Sequence, residues 1–128
     1  MVSKKETWPP PIPKESLLGF RSEVIKSNPI LNRYVRVANS LQHVAPENKV
    51  KLVLFAVFCR LGRNEEGELI ESSNNMLSVE DITDLLGVSK KEVRDSQTFL
   101  YTPAGLDLWQ KYEDALNKEG GRKKMKAF

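Results

Sequence analysis

Five residues that could hold a polyanion follow Gly87 at short spacing: Ser89, Lys90, Lys91, Arg94 and Gln97. If a helix begins at Ser89, these residue types suit one kind of chemistry. Lysine ammonium groups and the first backbone amides of a helix hold phosphate. Arginine and glutamine carry side-chain donors and acceptors that match base edges. Glu92 and Asp95 lie in the same run and oppose that use, because their carboxylates repel phosphate. A second basic group, Arg122, Lys123 and Lys124, would add auxiliary phosphate contacts of a sequence-independent kind.

Other chemistry finds little material. His43 is the only histidine and Cys59 the only cysteine, and the apolar neighbours of Cys59 predict a packed thiol rather than a nucleophile. The acid pairs Glu65/Glu66 and Glu80/Asp81 are sequence neighbours on polar segments, as solvated carboxylates usually are. There is no glycine-rich phosphate loop, no His/Cys set at metal-ligand spacing and no alternating oxygen ligands of a calcium loop. The expectation is a protein that is not an enzyme and takes neither metal nor cofactor.

The elements that must position the basic run are helical. Apolar Leu17, Phe20, Val24 and Ile25 predict a helix over 16–27, which Asn28-Pro29 ends. Pro29 can open a second helix to about residue 43, with Ile30, Tyr34, Val37 and Leu41 on one face and Asn32, Arg33, Arg36 and Asn39 elsewhere. Pro46-Glu47 starts a third helix through Leu61, with Gly62 as its C-cap. Its apolar residues wrap almost all round, which predicts the central, buried helix. Residues 63–75 read as a loop, with room for a short β-ribbon around Glu68 to Glu71. Helices over 78–86, 89–101 and 103–118 follow. In the last of these, Leu106, Trp109, Tyr112 and Leu116 form a stripe that packs on the core or, alternatively, seams a dimer.

The stretch Leu77 to Leu100 resembles the helix-turn-helix of bacterial and phage DNA-binding regulators, over roughly a fifth of the chain. Ser78 is placed as an N-cap with Asp81 three residues on, Ile82, Leu85 and Leu86 give a buried face, and Gly87 allows a tight turn. Val88 plugs the angle and Ser89 caps the second helix, whose Val93 packs back. The resemblance implies that this second helix enters the major groove, with Lys90, Lys91 and Arg94 anchoring and Gln97 reading a base. It further implies a regulatory, replication or packaging protein, with a bacteriophage or mobile-element source fitting the compact size. Two positions depart from the pattern: Thr83 stands where a small residue is usual, and Ser96 where an apolar one is.

Composition frames these expectations. A chain of 128 residues with 40% hydrophobic and 29% charged content suits one globular domain. The fold class expected is all-α, a compact bundle of about five to six helices over 16–118. A proline-rich arm over 1–15 carries Trp8, Ile12 and a minimal PxxP of Pro10 and Pro13, and a flexible basic tail covers 119–128. Charge divides into +4 over residues 1–45, −4 over 46–88 and +3 over 89–128. Basic ends could approach DNA while the acidic middle faces a protein. The alternative function is therefore a protein-protein adaptor that uses the acidic loop 64–71 (Glu65, Glu66, Glu68, Glu71) and the arm. No apolar run reaches membrane-spanning length and the start carries no signal-peptide pattern, so the expected location is cytoplasmic, with a homodimer as a further candidate. The DNA reading requires that Lys90, Lys91 and Arg94 point outward, neither covered by the last helix nor pinned by acidic neighbours.

Overall fold

Among the residues that this computed structural model describes, 16–127 except Ser73 with side chains to residue 118, the protein forms six helices and a two-stranded ribbon. The proline-rich arm, with Trp8 and Ile12, lies outside the described residues.

The first helix, α1 (Ser22–Ser27), is shorter than its apolar spacing predicts. Leu18 and Gly19 take positive φ angles of 59° and 85°, so the chain turns there and α1 begins only beyond that turn. Leu17 and Phe20 are buried all the same. Asn28 both ends α1 and begins α2 (Pro29–Ser40), because its side-chain oxygen accepts from the amides of Ile30 and Leu31 at 3.0 and 3.1 Å. Helix α2 stops before residue 43, since Leu41 is extended and His43 has a φ of 62°. Asn32, expected on the outer face, is buried. Its amide donates to the Ile25 carbonyl at 3.4 Å, and its Oδ1 accepts from Arg36 Nε at 3.0 Å. That pairing makes burial of a polar side chain tolerable.

The apolar helix α3 (Pro46–Arg60) is central, as its composition predicts, and packs against the helices on either side of it in sequence and against the last helix. Leu52, Val53, Leu54, Ala56 and Val57 are fully buried.

Gly62 is not a C-cap. Leu61 already has extended angles, and β1 (Leu61–Arg63) pairs antiparallel with β2 (Leu69–Glu71), with Gly62 opposite Ile70. On its other side Gly62 bridges to Met76, and a Cβ there would fall 2.1 Å from the Asn75 carbonyl oxygen. Close backbone approach, and not a left-handed turn, is what requires glycine at this position. The loop is therefore a ribbon, with a tip closed by the Glu68 amide donating to Asn64 Oδ1 at 2.8 Å.

Helices α4 (Val79–Leu86), α5 (Lys90–Phe99) and α6 (Pro103–Ala127) complete the bundle. Thr102 caps α6 by accepting from the Gly105 amide at 3.0 Å. Tyr112 and Leu116 are buried in the domain's own core, and the Trp109 ring meets Phe55 edge-on at 5.0 Å, so the stripe on α6 packs inward. Leu106 alone among its four residues is exposed. Helix α6 runs on through the stretch read as a tail. No helix among the described residues is long and apolar enough to cross a membrane.

Candidate nucleic-acid interface

Two capping boxes and one glycine set the geometry of α4 and α5. At the start of α4 the Asp81 amide donates to Ser78 Oγ at 3.1 Å, and the Ser78 amide donates to Asp81 Oδ2 at 3.2 Å. At its end Gly87 takes the left-handed conformation, φ 74° and ψ 34°, which lets the chain reverse direction without a steric penalty. The Arg21 amide donates to the Leu86 carbonyl at 3.0 Å, tying this turn to the segment before α1. Ile82, Leu86 and Val93 are fully buried between the two helices and α3, and Val88 packs on the same core.

Both departures from the helix-turn-helix pattern have local explanations. Ser96 is fully buried, but its hydroxyl donates to the Val93 carbonyl at 2.6 Å, so it serves as a small core residue with its polar atom satisfied. The Thr83 hydroxyl likewise donates to the Glu80 carbonyl at 2.8 Å.

The sequence-predicted site residues come together on α5. Ser89, Lys90, Lys91 and Arg94 are exposed and Gln97 is half-buried, so α6 covers none of the cations. The second part of the requirement is met only by Arg94. Lys90 Nζ lies 3.4 Å from Glu80 Oε2 across the turn, and Lys91 Nζ lies 2.7 Å from Asp95 Oδ2 one helical turn on. Asp95 holds the Lys91 ammonium above the ordinary lysine range through a hydrogen bond and its charge. Both lysine side chains remain 53% and 82% exposed, and ion pairs this open contribute little in water. Arg94 has no ion pair or hydrogen bond among the described residues.

Ser89 is also occupied. Its amide and its hydroxyl both donate to Glu92 Oε1, at 2.9 and 3.3 Å, and its oxygen accepts from the Glu92 amide at 3.1 Å. A carboxylate thus already serves the N-terminus of α5. Residues 77–101 hold five acids against three bases, a net charge of −2. Arg122, Lys123 and Lys124 lie beyond the described side chains.

A polar cluster that sequence reasoning missed joins α2, α3 and the ribbon. Glu71 Oε2 accepts from Arg33 Nη2 at 2.8 Å and from the Tyr34 hydroxyl at 2.5 Å, with Arg60 Nη2 at 3.8 Å. Glu71 is therefore not one more solvated acid of the loop, as the adaptor reading takes it to be. Glu65, Glu66 and Glu68 are exposed at the ribbon tip. Nothing local marks Glu71 out, since Arg33 is 38 residues away.

Burial pushes the Cys59 thiol up to about 11, which keeps it protonated at neutral pH. No cluster of His, Cys, Asp and Glu suited to a metal ion occurs among the described residues. Comparison with protein-family models, with curated proteins and with solved structures finds no match.

Proposed function

We propose that the protein binds duplex DNA through the outer face of α5, with Arg94 as its principal contact and Lys90, Lys91 and Gln97 beside it. The observation that carries this reading is the uncovered position of Arg94 on a helix fixed by a capped turn against α3. Lys90 and Lys91 can exchange exposed carboxylates for phosphate at little loss. Glu92 and the net negative charge of the unit oppose binding, so modest affinity with steep salt dependence is expected. The test is fluorescence anisotropy of a mixed-sequence duplex at two salt concentrations, repeated with Arg94→Ala. Salt-sensitive binding lost in the variant supports the proposal, and no binding at low salt ends it.

A second reading, a non-catalytic adaptor for another protein, is favoured by the exposed acids Glu65, Glu66 and Glu68 at the ribbon tip and by Tyr101, which is 82% exposed before α6. Charge reversal at those three acids would then abolish partner capture and leave any DNA shift unchanged or stronger.

A further inference from the structure

We propose that Arg33 and Arg60 form a phosphate-binding site, distinct from α5, which Glu71 occupies as an internal stand-in for the ligand. The two guanidinium groups flank one aromatic ring, with their central carbons 5.6 and 6.0 Å from the Tyr34 centroid. This stacking, together with half-burial of both side chains, holds two like charges close to one point. A single carboxylate answers them: Arg33 and Tyr34 both donate to Oε2, and Arg60 Nη2 lies 3.8 Å from the same oxygen, beyond hydrogen-bond reach.

The match is incomplete. Arg33 Nε and Arg60 Nη1 are buried with no hydrogen-bond partner among the described residues. A buried guanidinium nitrogen without an acceptor is costly, and a native structure rarely keeps two together. Two positive charges and a tyrosine hydroxyl facing one negative charge leave donors and charge in excess. A phosphate group corrects both shortfalls, because it brings more acceptor oxygens and up to two negative charges to a forked donor set.

Access requires only that Glu71 swing away. It is the last residue of β2 and its side chain is 36% exposed, so the carboxylate can turn toward solvent by side-chain rotation alone. The Tyr34 hydroxyl, which now donates to Glu71, would donate to the incoming oxygen instead. The site does not depend on the α5 reading and stands if that reading fails.

Isothermal titration of inorganic phosphate into the full chain tests it, using wild type, Glu71→Gln and Glu71→Gln combined with Arg33→Ala and Arg60→Ala. Glu71→Gln should bind phosphate at least about tenfold more tightly than wild type, and the combined variant should lose the gain. A Glu71→Gln protein that binds no more tightly than wild type overturns the proposal, as does a gain that survives loss of both arginines. Should Glu71→Gln fold poorly, phosphate should restore its thermal transition where chloride at equal ionic strength does not, and equal effects of the two salts overturn the proposal. A short duplex forms the second arm. A gain with phosphate alone assigns the site to a free phosphate or small monoester, and a gain with both assigns it to a nucleic-acid backbone.

Discussion

Glu92 stabilises α5 and opposes the anion that α5 would hold, and the two effects can be separated by substitution. Ser89→Ala removes the acceptor for the Glu92 amide and should cost about 1 kcal/mol, read as a lower midpoint in thermal unfolding. Glu92→Gln keeps a side-chain acceptor for the Ser89 amide but removes a charge beside Lys90, Lys91 and Arg94. It should leave the midpoint nearly unchanged while tightening duplex binding. A tightened complex with Glu92→Gln and none with Arg94→Ala would place the contact on this face of the helix. Gly62 shows how far single residues could be read from sequence. A glycine after an apolar helix was foreseeable as important, but its reason was not, because the atom that excludes a side chain is a carbonyl thirteen positions later. Gly62→Ala should cost about 1–3 kcal/mol through that clash, measurable as a lower denaturation midpoint.

The elements that sequence pattern located well were those with local causes. Ser78 with Asp81 and the left-handed Gly87 fixed α4 and the turn, and the all-round apolar composition of α3 foretold its central place. The elements it located badly depended on distant partners. Apolar spacing over 16–27 continued smoothly through Leu18 and Gly19, whose left-handed angles break the helix there. The ribbon expected around Glu68 to Glu71 is present as β2, whereas its pairing with residues 61–63 and the meeting of Glu71 with Arg33 and Arg60 were not foreseen. Side-chain identity alone does not reveal such a pairing. In the candidate interface the exposed residues of α5 were legible from the turn signal, but the Lys90–Glu80 pair was not, because it spans the turn. At this scale the expectation is unequal sensitivity along α5. Arg94→Ala should weaken duplex binding about tenfold or more, whereas Lys90→Ala and Lys91→Ala should each weaken it less and lower the salt slope by about one unit. Equal losses at all three positions would refute that order.

For the molecule as a whole, the buried phenols predict a limit at alkaline pH. Burial first, and then hydrogen bonding to Glu71, keep the Tyr34 hydroxyl protonated far above the usual tyrosine range, and burial does the same for Tyr112. The unfolded chain releases these protons near pH 10, before the folded one does. Stability from them is thus complete below that point and declines as pH rises between the unfolded and folded values, by up to about 1.4 kcal/mol per pH unit for each group. Cys59, raised to about 11, begins the decline from about pH 9. Thermal midpoints should fall steeply above pH 10, and Tyr34→Phe should flatten that fall. An unchanged slope in the variant would show that Tyr34 ionises freely.

The bond from the Tyr112 hydroxyl to the Tyr34 carbonyl, 2.8 Å long, joins residues 78 positions apart. During synthesis, then, α4 and α5 can cover part of α3 as they emerge, but the flank of α2 and α3 that α6 covers stays greasy and open until that helix follows. A nascent chain stalled before that helix should be a chaperone client and prone to aggregate, and one that has cleared it should become resistant to protease.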